Sequence, residues 1–300
     1  MTKNTFWKQI LKAALLFGAG TGASSAIAIT IAVAPLNTQP TDLAGYLFAH
    51  PWPGLAVGML VEALIGFRLY KRFVRKYEHR EPTELSGPRA VRELLYGLAI
   101  GSGFIFVVMT ILWLLGAYHP TGLQWSNGLL LGLALGLGGA FLEEPVFRGF
   151  LLRIFNQRWG ATVAIIAISI IFGGIHIVNT LATGHISVVG IIAIMIESGL
   201  FFSAAYYLTR RLWLPIGIHL AWNTVLYGVF GMATSGIAGI GGLVNGTLSG
   251  STWLTGGDFG PEASIVTIII GVVAGIIMLW YAKRRNQKLS LTTAAGRNLS

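Results

Sequence analysis

Three short stretches of this chain carry side chains that its apolar surroundings do not call for. They are Glu143-Glu144-Pro145-Val146-Phe147-Arg148, Phe172-Gly173-Gly174-Ile175-His176 and His219-Leu220-Ala221-Trp222-Asn223. A carboxylate at membrane depth costs roughly 3 kcal/mol on insertion scales, so such a group is a functional-site hypothesis by default. Glu144 and Arg148 are four residues apart with the acid on the N-terminal side, the favourable order for an ion pair within a helix. Glu143 is rotated about 100° from its neighbour, so the two acids face different surroundings and are expected to divide their labour. Phe172 and His176 share one helix face, as do His219 and Asn223. Pro145 has no amide hydrogen to offer the carbonyl of Phe141, which predicts a local kink.

A glutamate, two histidines and an asparagine converging in a low-dielectric cavity can hydrolyse a peptide bond without a covalent intermediate. The carboxylate and one imidazole could hold and deprotonate a water, each as general base or as metal ligand. The second imidazole and the amide could donate hydrogen bonds to the oxyanion of a tetrahedral intermediate. Other hydrolytic chemistries fit less well. The chain has no cysteine, hence no thiol nucleophile, thiolate metal site or disulfide. It offers no serine in a Gly-x-Ser-x-Gly setting, and Asp42 and Asp258 fall in connections. Glu62 and Glu197 stand alone on their helices and read as packed, paired groups.

The elements that must hold these residues are membrane helices. The chain is 54% hydrophobic and only 11% charged, with 40 glycines among its 300 residues, whereas an ordinary globular domain is roughly 25% charged. Eight segments reach the length of a span, at about 10–34, 53–70, 94–117, 128–152, 160–180, 186–208, 212–232 and 263–282. Lys and Arg fall on or near alternate connections: the N-terminus, residues 68–92, the 148–158 turn, Arg210-Arg211 and the C-terminus. Residues 35–52, 118–127, 181–185 and 233–262 have none. The positive-inside rule then predicts eight spans with both termini cytoplasmic. The net charge of +10 is thus a record of topology, with some anionic-lipid contact, and not a nucleic-acid footprint.

The expected architecture is an all-α polytopic bundle of about eight transmembrane helices. It forms a single integral membrane domain over 1–300, with the motif-bearing core at about 128–232. Residues 1–34 have the basic start of a signal peptide, but the apolar run continues to Ala34 and reads as a retained helix. Residues 71–96 read as a cytoplasmic linker or interfacial helix. The loop 231–260 is rich in turn residues, with an apolar patch from Ile237 to Val244 that could dip into the membrane.

The order Glu-Glu-x-x-x-Arg, Phe-x-x-x-His, His-x-x-x-Asn resembles the three motifs of the CPBP (Abi) intramembrane proteases, a family that includes the type II CAAX prenyl endopeptidases. The resemblance spans roughly Leu129 to Asn223. It implies an eight-helix bundle whose site opens to the cytoplasmic side, and a substrate that is a peptide or membrane-associated protein, prenylated in some members. Carried over, Glu143 and His176 activate water, His219 and Asn223 stabilise the oxyanion, and Glu144, Arg148 and Phe172 support them. Bacteriocin self-protection is implied for other members.

Two matters stay open at this level. The family is described both as metalloproteases and as metal-free glutamate-type enzymes. There is no HExxH, while Glu143, His176 and His219 would suit zinc. A proton-coupled transporter or a non-catalytic membrane partner would also use buried acids and histidines, although the chain shows no repeated halves. A geometric condition accompanies the enzyme reading. His176 lies about 16 residues into its span and His219 only about eight, so the seventh segment must begin deeper in the protein, after a re-entrant turn at Leu214-Pro215.

Overall fold

A computed structural model describes residues 52–177 and 187–297, together with positions 7, 8, 10–12, 14, 15 and 18. The predicted first span, the 35–52 connection and the 181–185 turn lie essentially outside the described residues. Helix α1 covers Trp52–Tyr77 and α2 covers Ala90–Leu114. Helix α3, Gly128–Glu144, passes into a π-helical stretch, Pro145–Leu152, and on into α4, Arg153–Ile175. Helix α5, Val188–Ile196, continues through a second π-helical stretch, Glu197–Phe202, into α6, Ser203–Thr209. Helix α7, Trp213–Asn223, runs into a third, Thr224–Val229, and a long α9, Ile265–Arg297, follows the short α8, Thr252–Thr255.

Four stretches among the described residues are long and apolar enough to cross a membrane: Ala90–Leu114, Gly128–Ile175, Val188–Thr209 and Ile265–Arg285. The count of eight is therefore not reproduced in full. The second stretch runs for 48 residues but breaks at Gly160, where φ is 82°. Phe147 and Phe172, nearly equidistant from that glycine, meet edge to face at 4.7 Å, so the chain folds back there as the 128–152 and 160–180 segments require. Helix α1 carries Glu62, Arg68, Lys71 and Arg72 and is less apolar than a free-standing span. The outward faces of α2, α4 and α9 expose Trp113, Leu114, Ile166, Ile170, Ile269, Val273 and Ile276, an apolar belt suited to lipid.

The all-α expectation needs one amendment. Tyr118–Leu123 (β1) and Val244–Leu248 (β2) form a two-stranded antiparallel sheet. It joins two of the connections that lack basic residues, so these lie at one end of the bundle. The basic connections meet at the other. Arg153 pairs with Glu78, Arg211 binds Glu93 at 2.7 Å, and the backbone N–H of Leu212 donates to Glu84. Arg285 reaches the carbonyl of Leu208, and Lys12 sits 4.8 Å from the ring centre of Tyr77. Burial alone would raise the carboxyl of Glu84, but hydrogen bonds from Arg80 and Tyr70 outweigh it and hold it below its usual range.

Small residues set the packing distances. A Cβ on Gly97 of α2 would stand 2.8 Å from the Cα of Gly217 in α7, and one on Gly217 would stand 2.4 Å from the carbonyl oxygen of Leu94. The two backbones touch, as membrane helices do at small-residue crossings. Around this contact Phe104, Phe201 and Trp222 form one aromatic cluster, while Tyr70, Phe73 and Phe150 centre another towards the basic end.

Candidate active site

The site is built on α3, α4 and α7 with the turn after α5, and π-helical turns follow α3, α5 and α7, a distortion frequent at functional positions. At the first, Pro145 supplies no amide hydrogen, and the predicted kink takes the form of the wider turn over Pro145–Leu152. Glu144 and Arg148 are both fully buried and paired at 2.9 Å. The other end of the guanidinium donates to the carbonyl of Ser198 at 2.7 Å and to its hydroxyl at 2.6 Å. The rings of Phe172 and Phe202 stand 5.1 and 5.2 Å from it, within cation–π reach.

Glu144 also orients His219. Its Oε1 accepts from His219 Nδ1 at 2.9 Å. A carboxylate only accepts, so Nδ1 carries hydrogen and Nε2 is left to face the cavity. Across from Nε2, at 4.0 Å, is Oε2 of Glu143, a buried oxygen with no hydrogen-bond partner. The two adjacent acids thus differ as their rotation predicts: one is locked between Arg148 and His219, the other is open to the cavity. His176 stacks on Phe172 at 4.6 Å, and its Nδ1 donates to the Phe172 carbonyl at 2.8 Å. That bond leaves the lone pair of the neutral ring on Nε2.

All seven expected residues, Glu143, His176, His219, Asn223, Glu144, Arg148 and Phe172, line one cavity of about 210 Å³. Gly139, one turn before Glu143, fixes the clearance on its floor. A Cβ there would lie 3.1 Å from Nε2 of His219 and 3.4 Å from Nδ2 of Asn223. The depth condition on the seventh segment is met differently from expectation. Helix α7 runs unbroken through Leu214 and Pro215, and no re-entrant turn occurs there. Instead its start is roofed by the 78–89 connection, to which the Trp213 indole donates at Leu85 O, so Leu212 and Leu214 are buried from the outset.

Sequence reasoning passed over other residues of the cavity. Glu62 and Glu197, read as lone packing groups, both line it, as do Ser198, Ser235 and Glu262. Glu262 accepts from the Trp222 indole at 2.6 Å and from the backbone N–H of Ser235. One signal was available: an indole N–H placed between His219 and Asn223 needs an acceptor when buried. The loop that holds Thr234, Ser235 and Ile237 does enter the bundle, and these residues form part of the wall.

The metal question can be put to the donor set. Among the described residues no three His, Cys, Asp or Glu side chains are grouped as a metal site requires. Glu143, His176 and His219, as they stand, do not fit a three-ligand zinc centre.

Residues 123–225 match the family model described as type II CAAX prenyl endopeptidase Rce1-like. The class defined by fold and site is a helical, polytopic membrane protein with a buried Glu/His/Asn cavity. Within that class the matched stretch, about a third of the chain, is similar to the CPBP/CAAX protease family that its three motifs resemble. No curated protein and no solved structure matches the chain.

Proposed function

We propose that this protein is an intramembrane endopeptidase in which Glu143 acts as general base towards a water held in the cavity. The observation that carries the reading is the unpartnered Oε2 of Glu143 facing His219 Nε2 across 4.0 Å. The gap is too wide for a direct hydrogen bond and short enough for one oxygen lying beside the pair to reach both side chains.

In this mechanism Glu143 takes one proton from water, with the Nε2 lone pair of His176 holding the same water. The hydroxide oxygen bonds to the scissile carbonyl carbon, and the carbonyl electron pair moves to oxygen. His219 acts as the imidazolium, since its Nδ1 hydrogen is already given to Glu144 and only the charged ring can donate from Nε2. A charged ring here has a carboxylate facing each nitrogen. Nε2 of His219 and Nδ2 of Asn223 stabilise the oxyanion together. Glu143 then passes its proton to the amide nitrogen as the C–N bond breaks, giving an amine and a carboxylic acid. Glu144 and Arg148 hold the His219 tautomer and touch neither reactant.

The eight-span bundle with cytoplasmic termini is the frame assumed for this chemistry. The substrate is a membrane-associated protein or peptide, and a prenylated C-terminal CAAX segment is one form to test. The decisive experiment is cleavage of a mixed peptide set, farnesylated CAAX peptides included, by purified protein in detergent beside Glu143→Gln. Loss of a general base lowers the rate by about 100- to 10,000-fold, so the variant should be close to inert while melting like the wild type. Equal turnover by both proteins removes Glu143 from the reaction.

A further inference from the structure

The cavity holds more carboxyl groups than the proposed reaction uses. Five carboxylates line it, Glu62, Glu143, Glu144, Glu197 and Glu262, against one guanidinium, Arg148. Arg148 is taken up by Glu144 and Ser198, and Glu143 faces the water. Glu197, on the π-helical turn Glu197–Phe202, is 3% exposed, and its Oε1 has no hydrogen-bond partner. Glu262, in the turn Pro261–Ala263, is also 3% exposed and close enough for its charge to act on Glu197. Its two oxygens are held in place by Trp222 and Ser235, neither of which carries a charge.

Two buried acids within reach of each other's charge are unfavourable as a charged pair unless a proton or a cation joins them. Among the described residues the charge of His219 reaches Glu262, while no side chain donates to Glu197 Oε1. Nor does the donor set suit a metal, since no three candidate ligands are grouped. An organic cation that enters with the substrate would supply both the charge and the donor that Glu197 Oε1 lacks. Trp222 ties this pair to the reacting groups, because it sits between His219 and Asn223 in α7 while its indole binds Glu262.

We propose that Glu197 and Glu262 form a subsite that takes the ammonium or guanidinium of a lysine or arginine side chain near the scissile bond. The subsite deepens the endopeptidase reading and rests on it. Lysine or arginine supplies the hydrogen-bond donors that Glu197 Oε1 lacks, while the aliphatic stem lies along Ile194, Phe202 and Ile237 of the same wall. Burial pushes the Glu262 carboxyl up to about 7 against its bonds from Ser235 and Trp222. Near neutral pH an arriving cation would therefore complete its ionisation.

The test uses a peptide pair, fluorescein-Gly-Ala-Leu-X-Leu-Ala-Gly with X as lysine or norleucine, which have similar stems and differ in charge. Binding to the full-length Glu143→Gln protein in detergent is measured by fluorescence anisotropy, so that it does not depend on turnover. A charge-assisted hydrogen bond made in a desolvated site predicts a lysine preference of about tenfold or more. In Glu143→Gln/Glu197→Gln that preference should fall to about one. Equal binding of the two peptides to the Glu143→Gln protein overturns the subsite, as does a preference that survives Glu197→Gln. The first of these comparisons needs no change at Glu197, so a folding defect there cannot decide it. Cleavage of the same pair by the wild type separates the two ideas. A lysine preference in binding with no cleavage of this pair or of the mixed peptide set refutes the endopeptidase reading and keeps the cation subsite, whereas cleavage indifferent to X does the reverse.

Discussion

At the scale of single residues, Arg148 decides most. Its guanidinium is the centre of a buried set that joins three helices: Glu144 on α3, Phe172 on α4, and Ser198 with Phe202 on the turn that follows α5. Removing one partner of a buried ion pair leaves the other charged and uncompensated, at a cost of about 3–5 kcal/mol. Arg148→Met should therefore lower the melting temperature in detergent far more than Glu143→Gln, whose carboxylate makes no hydrogen bond from Oε2. It should also lower activity, since Glu144 would be freed to move away from His219. A melting curve like that of the wild type would show that the network contributes little to the fold.

Among elements, the crossing of α3 with α7 sets how close the oxyanion donors lie to the base. Gly139 lies one helical turn before Glu143 and directly under Nε2 of His219 and Nδ2 of Asn223. A β-branched side chain there must enter the space that a scissile carbonyl would occupy. Gly139→Val should fold, because the helix around it is intact and apolar. It should lose about 100-fold or more in turnover, comparable to the loss of an oxyanion donor. Gly139→Ala should fall between the two, since its added atom meets Nε2 at 3.1 Å and asks for only a small shift. Steady-state kinetics on both variants checks the order; a fully active Gly139→Val would mean that the substrate carbonyl sits elsewhere. The π-helical turns belong to this scale as well: they begin just after Glu144, at Glu197 and just after Asn223, beside the groups they position.

For the whole molecule, the prediction concerns sidedness. The β1–β2 sheet joins two connections without lysine or arginine at one end, and the basic connections interlock at the other. Since the chain has no cysteine, single cysteines report location cleanly. Ser86→Cys and Thr121→Cys both fall at exposed positions of opposite ends. A membrane-impermeant maleimide applied to intact cells should label position 121, and position 86 only after permeabilisation, as the positive-inside rule requires. Labelling of both from outside, or the reverse pattern, would overturn the proposed orientation.

The sequence by itself determined the membrane class, the family resemblance of residues 123–225 and the helices that carry the motifs, because these rest on local quantities. Apolar length decides what lies in lipid, charge alternation sorts the connections, and a spacing of four puts two side chains on one helix face. The Glu144–Arg148 pair and the widened turn at Pro145 are of this kind, since both partners lie within one or two turns. Only the tertiary structure decided what each group faces. His219 Nδ1 meets Glu144 across 75 residues of chain, and Arg148 meets Ser198 across 50. Glu262 reaches the site from outside the 123–225 stretch through the indole of Trp222. The start of α7 is buried by a connection more than a hundred residues earlier, so counting residues along its own helix misplaced the turn that sets its depth. Glu62 and Glu197 looked solitary for the same reason: a lone carboxylate on a helix has no periodic partner to reveal it. Its meaning depends on which other helices pack beside it, and helix packing between distant segments leaves no short-range pattern in the sequence.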